Sequence, residues 1–319
     1  MAELLVFPSV EAQRLEPYLP PLGAGAKDSG EKHHSSSPLP FVTLTFATSL
    51  DSALSLGPGI RTALSGPQSK AMTHYLRSRH DAICVGVGTV IADDPGLNCR
   101  LAATIPDPIS VPAADTAGVG ALLGLAPIST EGTGSRLSHN AITPRQPRPV
   151  VVDPMLRWDF NHSSKVMQLA WEGRGLAPYI ITAVPEPPLC KKKLLEDAGG
   201  KFILLNQPRS SKISTDTSKR SFDWRDILIA VRNEGLQSIM VEGGGEVINS
   251  LLSHENAPLI DSVIITLAPT WLGQGSVFVC PPRKTGQDNL PSAAARLTDT
   301  TWIPLGEDVV LSGRIANQD

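Results

Sequence analysis

The chain has no Cys-x-x-Cys pair. Its four cysteines, Cys84, Cys99, Cys190 and Cys280, stand far apart without a histidine-rich partner. Neither a zinc site nor a disulfide framework is indicated, and a reducing compartment is the simplest setting. No uninterrupted apolar stretch approaches the roughly 20 residues needed to span a bilayer. The opening twenty residues lack a basic segment followed by an apolar one and carry Glu3, Glu11 and Glu16, which argues against signal and transit peptides. There is no excess of one charge: 28 Lys and Arg stand against 31 Asp and Glu, a net charge of −3 that gives no argument for a nucleic-acid partner. These absences lead to the expectation of a soluble, cytoplasmic protein with no metal, no membrane and no nucleic acid. Hydrophobic residues at 41% and charged residues at 18% exclude wholesale disorder. At 319 residues, two domains or one large α/β domain are both admissible.

Much of the glycine and proline is concentrated in segments that interrupt a regular alternation. Residues 1–40 read as an N-terminal extension and mobile linker. From Leu22 to Pro40, Gly, Ser, Pro and His leave almost no apolar surface to offset the entropy of ordering. Ala102 to Pro147 reads as a disordered insertion, with many prolines and no sustained period, and Ser210 to Ser221 as a polar loop. Within 41–319, taken as one domain, strands are expected at Phe41–Ala47, Asp81–Gly86, Arg148–Asp153, Pro178–Thr182, Lys201–Leu205, Gln237–Glu242 and Leu259–Ala268. A last strand at Val309–Ile315 is expected antiparallel, at or near an edge. Helices are expected at Pro67–Arg79, which opens on a first-turn proline, and at Cys190–Ala198, Trp224–Asn233 and Val247–Ser253. Strand-helix alternation with runs apolar on both faces points to an α/β fold around a mostly parallel sheet.

Two glycine segments carry the chemistry. Glu242-Gly243-Gly244-Gly245-Glu246-Val247 follows a buried strand and opens a helix, where glycines let a backbone approach a phosphate closely. A tight turn without a ligand is the alternative, and the spacing departs from the Rossmann G-x-G-x-x-G. Gly86-Val87-Gly88-Thr89, with Asp93 one helical turn on, is the second; Asp93 could accept from ribose hydroxyls, or Asp93 and Asp94 could cap a turn before Pro95. Two such loops at the strand ends of one sheet suit a dinucleotide. Arg77, Arg100 and Arg61 flank them and suit a phosphate monoester, although each singly reads as a solvated arginine. Asp51, in Thr48-Ser49-Leu50-Asp51 after the first strand, is either a carboxylate for the reacting centre or an Asx-type turn.

PFVTLTFATSLD, the run GPGIRTALSGPQSKAMTHYLRSRHDAICVGVGTVIADDPGLNCR, RPVVVD and VEGGGEVINSLL closely resemble the fungal 2,5-diamino-6-ribosylamino-4(3H)-pyrimidinone 5′-phosphate reductases of riboflavin biosynthesis. The reductase half of the bacterial riboflavin deaminase-reductase is the related form. The resemblance runs from Phe41 to about Ile315. It implies a dihydrofolate-reductase-like three-layer fold, a homodimer, a phosphorylated pyrimidine substrate and NADPH as cofactor. By motif, Ala47, Thr89, Asp93, Ile181, Gly243, Gly244, Gly245, Glu246 and Val247 would contact NADPH. Arg77, Leu97, Arg100 and Glu242 would contact the substrate, and Asp51 and Glu242 are the candidates for proton donation. The bacterial members carry glycine where this chain has Ser52. Their His-x-Glu and Pro-Cys-x-x-Cys deaminase motif is absent here, so the expected activity is reduction alone.

Overall fold

The computed structural model describes residues 4–21, 38–102, 144–205, 221–282 and 295–316. The expected insertion at 102–147, the polar loop at 210–221 and the linker at 22–40 lie almost wholly outside the described residues. The strands are β1 (Phe41–Thr48), β2 (Ala53–Ser55), β3 (Ala82–Gly86), β4 (Arg148–Val152), β5 (Tyr179–Thr182), β6 (Lys201–Leu204), β7 (Ser238–Gly243), β8 (Ser262–Leu267), β9 (Val277–Phe278), β10 (Leu297–Leu305) and β11 (Asp308–Ile315). The helices are α1 (Ser9–Leu15), α2 (Pro67–Arg79), α3 (Val87–Asp93), α4 (Lys165–Trp171), α5 (Leu189–Asp197), α6 (Trp224–Asn233) and α7 (Gly245–Leu251).

Nine strands form one sheet in the order β10-β11-β8-β1-β7-β3-β4-β5-β6, and β2 pairs with β9 apart from it. From β8 to β6 every pairing is parallel; β11 runs antiparallel beside β8, and β10 closes that edge. The expected final strand is therefore second from the edge, outflanked by β10, which the sequence reading does not assign. β10 carries Pro304, which an edge strand tolerates because no ladder bond is required of its missing N–H on the open side.

Successive strand residues point to opposite faces, and this alternation builds three layers. Ile239 and Val241 join Ile227, Leu228 and Val231 of α6 and Ile248 and Leu251 of α7 on one face. Met240, between them, packs on the other face with Met72 and Leu76 of α2, Ile264, Ile303 and Val310. Further along that second face, Ile83, Val85, Val151 and Ile180 pack against Val166, Met167 and Leu195 of α4 and α5. The N-terminal residues complete this layer: Leu15, Tyr18 and Leu19 are buried in the cluster with α2 and β10. Glu16 accepts hydrogen bonds from Tyr75 and Arg79 of α2, and the Tyr18 hydroxyl bonds the Asp299 carbonyl and Thr301.

His80, just past α2, is fully buried. Its Nδ1 lies 2.7 Å from the Leu76 carbonyl, which can only accept, so the ring proton sits on Nδ1 and Nε2 accepts from Thr43 Oγ1 at 2.8 Å. Burial pushes its pKa down from 6.5 to about 4. Ser52 has φ 61°, the left-handed backbone that glycine adopts most easily.

Candidate active site

The carboxyl ends of β1, β7, β3 and β4, adjacent in that order, open onto a cavity of about 1250 Å³. Its walls include Ala47 of β1, Thr89 and Asp93 of α3, Val152 and the turn after β4, Glu242 of β7, and the segment Gly244 to Asn249. Residues 58–65 and Lys70 close the β1 side; Phe222, Trp224 and Ile227 close the β4 side. This is the crevice position in which open α/β sheets bind ligands.

The glycines bring the two strand ends together. Gly243 and Gly244 have φ 118° and 48°, backbone that other residues rarely adopt. A Cβ on Gly86 would lie 2.8 Å from Val247 Cγ2, and one on Gly244 would lie 3.0 Å from Thr89 Oγ1. The two glycine segments therefore meet with the Thr89 hydroxyl between them. The first-turn N–H groups of a helix lack intrahelical partners, and α3 and α7 both begin at this junction.

Of the paired aspartates, Asp94 has the capping role. Its left-handed backbone ends α3 with its N–H on the Val90 carbonyl, and its carboxylate accepts from the backbone N–H of Lys165 at 3.0 Å. Asp93 faces the cavity instead. Its Oδ1 is buried with no hydrogen-bond partner among the described residues, and burial raises its pKa, with Arg61 across the cavity acting in the opposite direction. A buried acceptor without a donor fits a ligand hydroxyl.

Glu242 is held from behind. Arg77 donates from Nε to Oε1 at 2.8 Å and from Nη2 to Oε2 at 2.7 Å, and its third nitrogen, Nη1, reaches the Asn98 carbonyl at 3.1 Å. This bidentate pair is largely buried. Glu242 lines the cavity; Arg77, Leu97 and Arg100 do not. Leu97 is buried in the second-face core. Arg100 gives its backbone N–H to His74 Nδ1 at 3.0 Å and lays its guanidinium against the Nε2 side of that ring. Burial first, then Arg77 and Arg100, pushes the His74 pKa down to about 3.

Asp51 stands apart from the cavity and holds two loops together. Its carboxylate accepts from Ser49 Oγ, from Gly273 N at 2.8 Å and from Leu272 N at 3.1 Å, bonds that pull its pKa to about 2. An Asx-type turn, the other reading of the sequence, is not formed at Asp51: the Ala53 N–H that it would use bonds Ser49 Oγ at 2.9 Å instead. Ile181 is fully buried in β5 among the core residues of the first face and does not line the cavity. The structure thus gathers Ala47, Thr89, Asp93, Glu242, Gly244, Gly245, Glu246 and Val247 around one space. It adds Lys70, Arg157, Phe222 and Trp224, which the sequence reading did not single out as site residues, and Arg61, which it named only as a flanking charge. Among the described residues, no group of three or more His, Cys, Asp or Glu could hold a metal ion, and no helix is long and apolar enough to cross a membrane.

The family model of the RibD C-terminal domain matches residues 40–311. The 2,5-diamino-6-ribosylamino-4(3H)-pyrimidinone 5′-phosphate reductase of Saccharomyces cerevisiae is 34% identical over 280 residues, covering 88% of this chain and 88% of its own. That of Debaryomyces hansenii is 35% identical over 277 residues, covering 86% and 90%. Among solved structures, the Saccharomyces riboflavin biosynthesis reductase Rib7 superposes with a TM-score of 0.61 at 29% identity, covering 96% of this chain and 99% of that one. Acinetobacter baumannii RibD superposes with a TM-score of 0.56 at 19% identity, covering 88% and 60%, and speaks for the fold alone. The shared architecture is the dihydrofolate-reductase-like fold.

Proposed function

This chain belongs to the RibD C-terminal domain family, and from that premise we propose that it is the riboflavin-pathway reductase of 2,5-diamino-6-ribosylamino-4(3H)-pyrimidinone 5′-phosphate, with NADPH as its reductant. The observation that carries the reading is the cavity itself: two glycine turns meeting at Thr89, beside an unpartnered Asp93 oxygen, over the carboxyl ends of four parallel strands. The residues fit a dinucleotide. Thr89 and the turn from Gly243 to Val247 would cradle the pyrophosphate, Asp93 would accept from a ribose hydroxyl, and Ala47 offers a flat wall. When bound, the nicotinamide supplies the hydride that converts the opened ribosylamine of the substrate into the ribitylamine.

The chain's own contribution is to bind, align and exclude water. Glu242 presents its remaining lone pairs to the pyrimidine side, fixed by Arg77, while Arg61 and Lys70 supply positive charge for the substrate's phosphate. Leu97 and Arg100 stand within two residues of Asn98, whose carbonyl holds the far side of Arg77, and we assign them to the frame that holds Glu242. Asp51 has its carboxylate committed to Leu272 and Gly273, which leaves Glu242, of the two candidates for proton donation, as the one that lines the cavity. We place 41–319 in a single reductase domain, to which the N-terminal residues around Leu15 and Tyr18 add part of one layer, and expect a cytoplasmic homodimer.

The test follows nicotinamide absorbance with NADPH and the ribosylamino substrate together and separately. Oxidation only when both are present is the expected result. Binding of NADPH without turnover of this substrate would favour a non-catalytic dinucleotide-binding protein, and turnover of dihydrofolate instead would assign the fold's other chemistry.

A further inference from the structure

The two ends of the cavity differ in charge. The segment between β1 and β3 brings Arg61 and Lys70, with Thr62 and Ser65, to a wall that also holds Ile60 and Leu64; over β4 the lining is Val152, Pro154, Met155, Phe222, Trp224 and Ile227. Three inter-strand steps of about 4.8 Å separate the two ends, with the Thr89–Gly244 junction between them. A dinucleotide with its pyrophosphate at that junction has one half on each side. The half that reacts lies with Glu242 and the end of Arg61 and Lys70, where a sugar phosphate can be bound. The adenosine half then lies over β4, where an apolar slot suits a base.

One cation stands at that apolar end. Arg157 lines the cavity, is exposed, and has no hydrogen bond or ion pair on its guanidinium among the described residues. Its backbone is fixed: the buried Asp153 carboxylate accepts from the N–H of Arg157 at 2.9 Å and of Trp158 at 2.9 Å, and Leu156 turns the chain with φ 50°. The turn thus holds an uncommitted guanidinium at a set place beside the apolar slot. Resting on the cofactor reading above, we propose that Arg157 is the specificity-determining residue for the phosphorylated dinucleotide, binding the 2′-phosphate of the adenosine ribose and so selecting NADPH over NADH. Guanidinium is suited to this because its planar donors meet a phosphate bidentately, a contact that a 2′-hydroxyl does not reproduce.

The test is direct binding of NADP⁺ and of NAD⁺ to the full chain, by calorimetry, for the wild type and for Arg157→Gln and Arg157→Lys. The wild type is expected to prefer NADP⁺. In Arg157→Gln, NADP⁺ affinity falls tenfold or more while NAD⁺ affinity changes less than twofold, and Arg157→Lys recovers part of the difference. The melting temperature stays unchanged, because only the backbone of Arg157 is engaged. Equal weakening of both dinucleotides, or an unchanged preference in Arg157→Gln, overturns the assignment of Arg157 while leaving the cofactor reading intact. A wild type that binds neither dinucleotide overturns both.

Discussion

Replacing Gly86 by alanine tests the meeting of the two glycine segments without touching a ligand-binding side chain. Gly86 has φ −77° and ψ 156°, so alanine is conformationally admissible there and gains roughly 0.4–1 kcal/mol from the unfolded chain. The added methyl would lie 2.8 Å from Val247 Cγ2, a short β-branched side chain with little freedom to swing away. Overpacking of this kind costs about 1–3 kcal/mol, leaving a net loss of up to about 2.6 kcal/mol, centred on about 1.3, and a melting temperature lower by a few degrees. Val247→Ala removes the obstructing methyls at a cost of its own. In the double variant the clash is gone and the entropic gain remains, so the interaction energy of the cycle is minus the overpacking cost, about −1 to −3 kcal/mol. NADP⁺ affinity should fall severalfold in Gly86→Ala, as the first turn of α7 is pushed from Thr89, and recover in the double variant. Urea titrations of the four proteins, with calorimetric NADP⁺ binding, supply both readouts. Additivity of the two substitutions within about 0.5 kcal/mol would refute the reasoning, since it would mean that Gly86 and Val247 do not touch.

Two further outcomes follow from buried groups. His80, held near pKa 4 in the folded state against 6.5 unfolded, contributes stability that is fully present above about pH 6.5 and is lost as the unfolded chain takes up the proton toward pH 4. The loss amounts to about 3 kcal/mol, and in His80→Gln the slope of stability against pH between 6 and 4.5 should be smaller by about 1.4 kcal/mol per pH unit, measured by urea unfolding at stepped pH. Arg77→Met strands the Glu242 carboxylate in a largely buried place and should cost about 3–5 kcal/mol, with kcat/KM for the pyrimidine falling tenfold or more. Adding Glu242→Gln should restore much of the stability and none of the activity; stability unchanged in Arg77→Met would show that the pair is not formed.

Most of the parallel sheet was legible because its strands are short apolar runs bounded by glycine, proline or charge. α2 and α6 match their expected bounds, and β1, β3, β4, β5, β6 and β7 differ by a residue at one or both ends. The early start expected for the strand at Leu259–Ala268 fails because Ala257–Leu259 winds into a 3₁₀ turn around Pro258. α1 buries Leu15 as its one fully covered residue, too little to write a helical period, and β10 is exposed over most of its length, so neither carries the pattern that burial imposes. In the site, glycine and aspartate were readable because a turn of positive φ and a helical step constrain residue type. Arg77 was readable as an arginine near the site, but its pairing with Glu242, 165 positions away, is set by the β7–β3 pairing and the seating of α2 on the sheet. Arg157 carries no local signal at all: what singles it out is a fixed backbone beside an apolar stretch of wall, which exists only in the folded cavity.

The strand order has a consequence for how the chain reaches this structure. β1 is the first strand of the sheet to be made and lies near its middle, yet its neighbours β7 and β8 come 197 and 219 residues later, from Phe41 to Ser238 and from Thr43 to Ser262. The N-terminal residues wait longer still, because the layer that buries Leu15 and Tyr18 includes Ile303 and Val310. On a ribosome, the earliest segments therefore remain without their partners until the last hairpin has emerged. A sheet assembled from such distant pairs folds late and slowly, and nascent fragments ending before β7 expose β1 along both of its edges.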